Sequence, residues 1–354
     1  MSETLRAGIV GAAGYTGAEL LRLITDHPKL DLCWVAARDN AGKQLADVLP
    51  HTRGVAGIGD MTLESFDPAQ AGKLKSRIDV AFSALPHGAS ANICDSLLKA
   101  GIRVLDLSAD FRLKDLGTYE AWYNKHPVPG RISEAVYGQP ELHRDELAGA
   151  RLIAVPGCYP TSAILPLSPL LEEKLVESDG IIIDSKSGVS GAGKSPKRGS
   201  HYPETAEGLR PYGVAGTHRH TPEIEQELSR AAGTAVEVIF TPQLLPMTRG
   251  ILTIAYAKAL PGVTAEQCRQ AASKRYPGAL ITVLQDEQLP DTLWVRGSAR
   301  AQIAYAMDPR SQTVISMCVI DNLARGASAQ AIQALNVSMG WAEELGLPTL
   351  AMFP

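Results

Sequence analysis

A short apolar run, Leu5–Val10, leads directly into the glycine-rich sequence GAAGYTG at Gly11–Gly17. Apolar residues at helical spacing follow within Gly17–Asp26, and a second strand is predicted at Leu30–Ala37. The glycines have the spacing GxxGxxG, a variant of the fingerprint found where the first strand of a parallel sheet turns into a helix. Glycines suit this turn because the backbone must bend tightly and approach a pyrophosphate. The alternative is a tight turn that only requires small residues.

The alternation of strands and helices continues through the first half of the chain. Strands are predicted at Asp79–Ala84 and Arg103–Leu107, with a helix at Ala91–Ala100 between them. Such alternation is typical of βαβ units and a parallel sheet. Pro127–Pro140 is rich in proline and glycine and has little periodicity, which predicts a linker or surface loop.

The second half has more strands and fewer helices. Strands are predicted at Ile181–Ser185, Glu237–Thr241, Ile251–Lys258, Gln302–Met307 and Thr313–Ile320. This pattern favours a mostly antiparallel sheet. A helix predicted at Asn322–Met339 is expected to pack against the first domain. The predicted fold class is therefore α/β, with a Rossmann-type dinucleotide-binding domain at 1–150, completed by 322–354, and an α+β domain with a mostly antiparallel sheet at 151–321.

Composition excludes several classes of protein. The 354 residues are 45% hydrophobic and 20% charged, which fits about two folded domains. A net charge of −4 argues against nucleic-acid binding. The sequence has no apolar run of about 18 residues that would span a membrane. MSETLRAGIV lacks the apolar segment of a signal peptide, and the five cysteines have no CxxC spacing. We therefore expect a cytoplasmic protein without disulfides.

The end of the second predicted strand bears on the choice of dinucleotide. NAD-binding domains usually carry an acidic residue there, which binds the ribose 2′-hydroxyl. Here the strand ends at Ala37 and is followed by Arg38 and Lys43, which can bind a 2′-phosphate. The sequence thus favours NADP. Asp39 would lie close to the ribose if the strand ended later, and the cations could also belong to an ordinary solvated loop.

Gly188–Ser195 reads GVSGAGKS and matches the Walker A pattern GxxxxGK[ST]. This match is the main argument for a nucleoside triphosphatase. A phosphate-binding loop of that kind leads directly into a helix. The segment after it, Pro196–Pro203, contains two prolines and a glycine and has no apolar period. A flexible glycine-rich loop near a ligand is therefore the favoured interpretation.

The segment VPGCYPT at Val155–Thr161 lies between a predicted strand at Arg151–Val155 and a predicted helix at Ser162–Leu175. Cys158 is thus expected at a turn that leads into a helix N-terminus. The peptide dipoles there favour a thiolate, which is the reactive form of cysteine. The alternative is a small buried hydrophobic residue, which is what we expect of the other four cysteines.

A thiolate catalyst needs a proton partner, and the sequence THRHTPEI offers His218 and His220. Thr221 resembles a helix N-cap and Pro222 a first helical residue, so both histidines are expected in a loop entering a helix. Two histidines at this spacing can also bind a metal, but the sequence has no third ligand at suitable spacing, so we expect no metal. A surface loop with freely titrating histidines is the remaining alternative.

These motifs together resemble the family of N-acetyl-γ-glutamyl-phosphate reductases, in the aspartate-semialdehyde dehydrogenase superfamily. The resemblance covers essentially the whole chain. It rests on GAAGYTGAEL at Gly11–Leu20, ALPHG at Ala84–Gly88, SADFRL at Ser108–Leu113, VPGCYPT at Val155–Thr161, SGVSGAGK at Ser187–Lys194, HRHTPEI at His218–Ile224, PMTRGI at Pro246–Ile251 and DNLARGASAQA at Asp321–Ala331. Arg38-Asp39-Asn40 departs from the family, whose members often have serines there.

The resemblance implies roles for particular residues. Cys158 would be the nucleophile and His218 the acid/base, with His220 as the alternative. The residues implied in substrate binding are Arg112, Arg249, His220 and Glu223. Those implied or predicted in cofactor binding are Gly11, Gly14, Tyr15, Thr16, Gly17, Arg38, Lys43, Pro86, Ser187, Gly188, Gly191 and Asn322.

The implied reaction is the NADPH-dependent reduction of N-acetyl-γ-glutamyl phosphate to the semialdehyde, with release of phosphate, in arginine biosynthesis. It would proceed through a cysteine thioester. The implied partners are a small acyl-phosphate substrate and further copies of the chain, in a homodimer or homotetramer. One alternative is the sister reductase of lysine biosynthesis, which acts on a carrier-linked aminoadipyl phosphate. Another is a catalytically silent cofactor-binding protein, which would leave the settings of Cys158 and His218 unexplained.

Overall fold

The computed structural model describes residues 4–196 and 198–354. These residues form two compact units. The first unit extends from the start of the described chain to Pro156 and includes Ala327–Leu347. The second unit comprises Gly157–Gly326 and Pro348–Pro354. The predicted boundary at residue 150 lies six residues before this division, and of the segment 322–354 assigned to the first domain only Ala327–Leu347 belongs to the first unit.

The first unit is built on a six-stranded sheet. Its strands and helices are β1 Leu5–Val10, α1 Tyr15–Thr25, β2 Leu30–Ala36, α2 Leu45–Val48, α3 Ala71–Leu74, β3 Val80–Ser83, α4 Ala91–Lys99, β4 Arg103–Asp106, α5 Leu116–Trp122, β5 Val136–Tyr137, α6 Pro140–Leu147 and β6 Leu152–Ala154. The strand order is β2-β1-β3-β4-β6-β5, and all neighbouring strands are parallel. The central strands are apolar runs buried on both faces, as a parallel sheet requires.

The second unit contains a seven-stranded mixed sheet. Its elements are α7 Cys158–Glu172, β7 Ile181–Gly188, α8 Tyr202–Thr205, β8 Arg210–Pro211, α9 Thr221–Ala232, β9 Val238–Leu245, β10 Ile251–Lys258, α10 Ala265–Arg275, β11 Ile281–Val283, β12 Ala301–Asp308 and β13 Thr313–Ile320. The strand order is β11-β12-β13-β10-β7-β9-β8. Only β11–β12 and β7–β9 are parallel among these pairs, so the expected mostly antiparallel sheet is confirmed.

Helix α7 packs against the sheet of the second unit and is buried over most of its length, although it contains Pro166 and Pro169. A proline removes one N–H from the helix and leaves the carbonyl four residues earlier without its usual partner. The hydroxyl of Tyr276 donates to the Leu165 carbonyl at 2.9 Å, which compensates for Pro169. The carbonyl freed by Pro169 is therefore satisfied, and the helix continues through this position to Glu172.

The expectation of a linker or surface loop at Pro127–Pro140 is wrong for the second part of the segment, after the largely exposed 3-10 turn at Pro129–Glu134. The segment contains strand β5, which pairs with β6 at the edge of the parallel sheet. Tyr137 is 1% exposed and Gln139 is 0% exposed, so this part of the chain lies in the core of the first unit. Because a two-residue edge strand is too short to show periodicity, the proline and glycine content dominated the prediction.

The C-terminal helix begins later than predicted. The segment expected to be helical from Asn322 starts with a π-helical turn at Ala324–Ser328, followed by α11 at Ala329–Ser338. Within the first unit, α11 is anchored by Asn336, whose Oδ1 lies 3.1 Å from Nε2 of His27. Ser328 also donates to the Thr16 carbonyl at 3.1 Å, at the start of α1.

None of the helices formed by residues 4–196 and 198–354 is long and apolar enough to cross a bilayer.

Candidate active site

The glycines of the first βα turn are required by packing. Gly11 has a positive φ of 87°, and a Cβ there would lie 2.4 Å from the Ala84 carbonyl oxygen. A Cβ on Gly17 would lie 2.5 Å from the Gly11 carbonyl oxygen. Larger residues at either position would therefore separate β1, β3 and α1.

Gly14 is different, because a Cβ there would meet only the Gly11 oxygen, at 3.6 Å. Gly14 is the N-cap of α1, and glycine has no side chain with which to cap the first amides of the helix. Tyr15 and Thr16 follow as the first helical residues, and Tyr15 is 42% exposed. The turn thus fits a pyrophosphate, which needs open backbone amides at a helix N-terminus.

Strand β2 ends at Ala36, and Arg38–Asn40 forms a 3-10 turn directly after it. The side chains of Arg38 and Asp39 are 93% and 83% exposed and pair at 3.3 Å. Lys43 donates to the Asn40 side chain at 3.4 Å. Two exposed cations and one exposed acid therefore follow the strand whose end selects between dinucleotides.

Two buried aspartates hold the loops that follow β3 and β4. Asp110 accepts hydrogen bonds from the amides of Gly88, Ser90 and Ala91 at 2.7 to 3.1 Å. It thereby fixes the turn that carries exposed Pro86. Sequence reasoning missed this role, although Asp110 stands inside the quoted SADFRL motif.

The second aspartate, Asp106, is 0% exposed and accepts from the Ser90 hydroxyl at 2.5 Å and the Ser108 hydroxyl at 2.7 Å. Burial, reinforced by the nearby Asp110, raises its pKa to about 6. The network is a structural support beneath the loops.

Arg112 is 4% exposed, and its guanidinium faces backbone carbonyls. Nε donates to the Val155 oxygen at 2.7 Å, and Nη2 donates to the Leu107 oxygen at 2.8 Å. Two of its donors therefore hold the loop after β4 and the end of β6, two residues before the second unit begins at Gly157.

Cys158 is the first residue of α7, with Gly157 as the N-cap. The helix starts four residues before the predicted Ser162, so the cysteine lies in the helix itself. Its side chain is half-buried. Glu223 Oε1 accepts from the Gly157 amide at 2.8 Å, and a Cβ on Gly326 would lie 2.7 Å from the Cys158 Cβ. Cys158 is therefore confined by neighbours on both sides.

Tyr159 joins Cys158 to the two histidines. Its ring lies 5.6 Å from that of His218 and 6.0 Å from that of His220, between centroids. The Tyr212 hydroxyl donates to the Tyr159 hydroxyl at 2.8 Å, and Phe240 packs 5.4 Å from the Tyr159 ring. The structure thus brings the predicted histidines to the first turn of α7. Sequence reasoning missed Tyr212, whose one signal is the PYG sequence just before the histidines.

His218 is held as a neutral imidazole. Burial, together with the positive charge of Arg219, lowers the pKa of His218 to about 4. Its Nδ1 accepts a hydrogen bond from the backbone amide of His220 at 3.1 Å. In the neutral ring the proton is then on Nε2, which makes His218 a hydrogen-bond donor.

The prediction of Thr221 as the N-cap of the next helix is wrong. His220 is the N-cap and Thr221 is the first residue of α9. The buried Thr221 hydroxyl has no hydrogen-bond partner among the residues that the structure describes, so it does not cap the helix.

Three loops of the second unit are bonded together. Gly188 donates to the Gly250 carbonyl at 2.9 Å, and a Cβ on Gly188 would lie 2.9 Å from the Arg249 amide. Asn322 accepts from the Gly250 amide at 2.8 Å and donates to the Ser190 hydroxyl at 2.9 Å. The structure thereby unites the SGVSGAGK, PMTRGI and DNLARG motifs, and Asn322 fastens them.

Within this cluster, Arg249 is partly exposed and pairs with Asp321 at 3.2 Å. Asp321 is 0% exposed and also accepts from the amides of Gly297, Leu323 and Ala324. The carboxylate therefore holds one edge of the Arg249 guanidinium in a fixed direction.

The Walker-like sequence does not form a phosphate-binding loop. Gly188 ends β7, Val189–Ala192 forms a 3-10 turn, and Gly193 has a φ of 82°. The next described helical turn is a 3-10 turn at Arg198–Ser200. Because no α-helix starts at Lys194 in the described chain, the helix amides that would cradle a triphosphate are missing there.

None of the five cysteines, all of which lie in the described chain, forms a disulfide. Burial raises the pKa of Cys268 to about 11 and that of Cys318 to about 12, and it holds the pKa of Cys94 well above its usual value. Burial and then Asp31 raise the pKa of Cys33. These four thiols are therefore poor nucleophiles near neutral pH.

Comparisons with known proteins agree with this layout. Residues 6–150 match the family model described as semialdehyde dehydrogenase, NAD binding domain, and residues 158–322 match semialdehyde dehydrogenase, dimerisation domain. Among solved structures, aspartate semialdehyde dehydrogenase II of Vibrio cholerae has a TM-score of 0.72 at 16% identity, covering 96% of this chain and 99% of that one. An aspartate semialdehyde dehydrogenase with NADP from Candida albicans has a TM-score of 0.66 at 17% identity, covering 97% and 100%. At these identities the likeness shows the fold.

Relatives at higher identity carry one name. The N-acetyl-γ-glutamyl-phosphate reductase of Rhodospirillum rubrum is 48% identical over 100% of both chains. The reductase of the same name from Geotalea daltonii is 46% identical over 99% of this chain and 100% of its own. The nucleotide-type turn at Gly11–Gly17 and a cysteine at the start of α7 are both present here. The chain therefore belongs to the N-acetyl-γ-glutamyl-phosphate reductase family of semialdehyde dehydrogenases.

Proposed function

We propose that this chain reduces N-acetyl-γ-glutamyl phosphate to N-acetylglutamate semialdehyde with NADPH and releases phosphate, as a step of arginine biosynthesis. The observation that carries the proposal is Cys158, half-exposed at the first position of α7 and joined through Tyr159 to neutral His218. A thiol at a helix N-terminus is activated as a thiolate, which attacks acyl phosphates readily.

In the first step the Cys158 sulfur forms a bond to the acyl carbon, and the bond from that carbon to the phosphate oxygen breaks. The proton of the thiol leaves with hydrogen phosphate. The amides at the start of α7 favour the thiolate, and the Gly157 amide is held by Glu223. The product is a thioester on Cys158.

NADPH, when bound, supplies the hydride that reduces the thioester carbonyl. The chain must stabilise the negative charge that develops on the carbonyl oxygen. Neutral His218, with its proton on Nε2, is suited to donate a hydrogen bond to that oxygen. Collapse of the resulting hemithioacetal expels the Cys158 thiolate and releases the aldehyde. His220, 5.0 Å from His218 between ring centroids, is the alternative proton partner.

The substrate carries a phosphate and a carboxylate, so its contacts should be cationic. We assign these groups to Arg249 and Arg112, whose planar guanidinium groups match both anions. Arg249 is oriented by Asp321, and its side chain is 19% exposed. His220 completes the proposed substrate contacts. The carboxylate of Glu223, which the resemblance implies as a further contact, is 1% exposed and accepts from the Gly157 amide at 2.8 Å, so it is not assigned to the substrate.

For the cofactor we propose NADP, since Arg38 and Lys43 follow β2 where an NAD enzyme usually has an acid. The turn formed by Gly11, Gly14, Tyr15, Thr16 and Gly17 would hold the pyrophosphate. The other proposed contacts are Pro86, Ser187, Gly188, Gly191 and Asn322, of which Asn322 acts mainly by holding the loop of Ser190.

We further propose a homodimer or homotetramer formed through the sheet of the second unit. Strand register places Ile239, Ile182, Tyr256 and Ile315 in a row across β9, β7, β10 and β13. Ile239 is 61% exposed and Ile182 is 41% exposed. Exposed apolar residues in a row are typical of a surface that is buried in an interface. Cysteines without disulfides favour a reducing compartment, the cytoplasm. Sedimentation measures the oligomer directly.

The test of the reaction is its reverse. N-acetylglutamate semialdehyde should reduce NADP only when inorganic phosphate is present. The unacetylated semialdehyde and a carrier-linked aminoadipate semialdehyde serve as comparisons. Preference for the carrier-linked compound would move the chain to the sister reductase of lysine biosynthesis, and phosphate-independent turnover would exclude the acyl-phosphate mechanism.

A further inference from the structure

Glu223 lies at the start of α9, yet its carboxylate is bonded to the start of another helix. Oε1 accepts from the Gly157 amide at 2.8 Å, and the residue is 1% exposed. Gly157 is the N-cap of α7, and its amide is one of the groups that a helix N-terminus leaves without an intrahelical partner. A glutamate from a neighbouring helix thus does what the third residue of a capping box does from within a helix.

The bond acts on the residue next to the nucleophile. Cys158 follows Gly157 directly, and on its other side a Cβ at Gly326 would come within 2.7 Å of the Cys158 Cβ. Ser162, one turn further along α7, is fixed to the sheet through the Thr253 hydroxyl at 2.6 Å. The first turn of α7 is therefore bonded at its start by Glu223, confined at Cys158 by Gly326 and tied to the sheet by Ser162.

We propose that Glu223 is a positioning residue, whose carboxylate oxygen fixes the Gly157 amide and so sets the place of the Cys158 sulfur. This deepens the proposed function and rests on it for the kinetic part of the test. The role depends on reach and on an acceptor oxygen, and it does not depend on the negative charge. It also differs from the substrate contact that the resemblance implies for Glu223, because a substrate contact acts on KM while a positioning bond acts on kcat.

Three substitutions separate these properties. Glu223→Gln keeps an acceptor oxygen at the same reach and loses the charge. Glu223→Asp keeps the charge and shortens the reach by one methylene. Glu223→Ala removes both. Glu227, 3% exposed one turn later on α9 and bonded to Gln226 at 2.7 Å, provides the matched controls Glu227→Gln and Glu227→Ala.

The first readout needs no substrate. Hydrogen exchange at the Gly157 amide should be slow in the parent and in Glu223→Gln, and about tenfold faster or more in Glu223→Asp and Glu223→Ala. Both Glu227 variants should keep the slow exchange. Unchanged exchange in Glu223→Asp would overturn the proposal, and this holds even if the parent shows no reductase activity. Conversely, a parent inactive on the acyl phosphate but with this exchange pattern would refute only the proposed reaction.

The second readout is the split between kcat and KM. A misplacement near 1 Å costs on the order of a hundredfold in rate, so kcat should fall about 10- to 100-fold in Glu223→Asp with KM nearly unchanged. Glu223→Gln should stay within about threefold of the parent. Equal losses of kcat in the Gln and Asp variants would show that the charge matters, and a rise in KM alone would make Glu223 a substrate contact. Either result overturns the positioning role. If Glu223→Ala does not fold, the Gln and Asp variants still decide.

Discussion

Helices α1 and α7 begin in the same way but have different proposed roles. Each follows a strand and a glycine N-cap in an extended conformation, with ψ of 170° at Gly14 and 157° at Gly157. At α1 the first turn offers its backbone, and the nearby glycines keep side chains away. At α7 the first residue is Cys158, which lies between the Gly157 amide bonded by Glu223 and the closely packed Gly326. In the proposed function, the N-terminus of α1 receives the cofactor and the N-terminus of α7 carries the reactive sulfur.

The difference lies in what surrounds the two N-caps. A Cβ at Gly14 would meet one backbone oxygen at 3.6 Å, so the space in front of α1 is open. The Gly157 amide instead has a buried carboxylate at 2.8 Å. The N-terminus of α1 is therefore open to an anion from outside the chain, whereas one N-terminal amide of α7 already has a carboxylate of the chain as its partner.

The largest effect is expected from removing the Cys158 sulfur at the start of α7. Cys158→Ala should lower turnover by about a thousandfold or more, since the proposed thioester forms on the Cys158 sulfur. Cys158→Ser should be nearly as inactive, because a serine hydroxyl is protonated near neutral pH. Steady-state rates with the acyl phosphate measure both variants. Near-parent turnover in Cys158→Ala would refute the covalent mechanism.

Iodoacetamide provides the control for this prediction. Cys33, Cys94, Cys268 and Cys318 have pKa values raised above the ordinary thiol value, chiefly by burial. The reagent should therefore label Cys158 first, and the acyl phosphate should protect it. Mass spectrometry of the peptides identifies the labelled residue.

His218 tests the proton chemistry beside α7. Replacing it with asparagine should lower kcat about 100-fold and leave NADPH binding intact. Because the pKa of His218 is lowered to about 4, the imidazole is neutral at every pH above that value. The parent's kcat/KM should therefore show no fall between pH 7.5 and 6 that depends on His218, as it would for a histidine of ordinary pKa, about 6.5. Any fall caused by protonation of the Cys158 thiolate should persist in His218→Asn. An acid limb near pH 6.5 that disappears in His218→Asn would contradict the neutral donor.

At α1 the corresponding change is Gly14→Ala. Its extended backbone accepts alanine, and the added Cβ has room in the unliganded protein, so the melting temperature should change little. The methyl group would stand where a pyrophosphate approaches the helix, so NADPH affinity should fall about 10- to 100-fold. Isothermal titration measures this affinity. Gly17→Ala, whose Cβ would lie 2.5 Å from a carbonyl, is the contrast and should destabilise the fold itself.

The sequence was informative wherever a pattern is local. The bounds of β1, β10 and β13 were predicted to the residue, because each is an apolar run between clear breaks. The turn at Cys158 was also predicted from a local pattern, glycine and prolines between a predicted strand and a predicted helix. Glu223 was named through a resemblance, but its bond to Gly157 joins residues 66 positions apart and leaves no local pattern. Strand β5 was not predicted, because a two-residue strand at a sheet edge is stabilised by pairing with its neighbour β6 and has no pattern of its own.

Substitution of Arg38 tests which dinucleotide the first unit prefers. Its side chain is 93% exposed and pairs only weakly with exposed Asp39, so its removal should leave the fold unchanged. NADPH should bind more tightly than NADH, and Arg38→Ala should reduce that preference about tenfold. Asp39→Ala is the matched control and should leave the preference intact or increase it. Equal affinities for the two cofactors in the parent would remove the 2′-phosphate role.

The smallest effect is expected from substitution in the Gly188–Lys194 loop, which matches a phosphate-binding pattern in sequence but not in structure. Gly188–Lys194 has the glycines of α1's turn and a lysine besides, but a 3-10 turn and then Gly193 stand where a helix would start. If a helix N-terminus is what makes a phosphate site, the parent should not hydrolyse ATP, and Lys194→Ala should leave both the fold and NADPH affinity within about twofold of the parent. Phosphate release from ATP, measured with the parent and the variant side by side, decides the question. ATP turnover that depends on Lys194 would mean that the sequence pattern suffices without the helix, and the contrast drawn between α1 and this loop would fail.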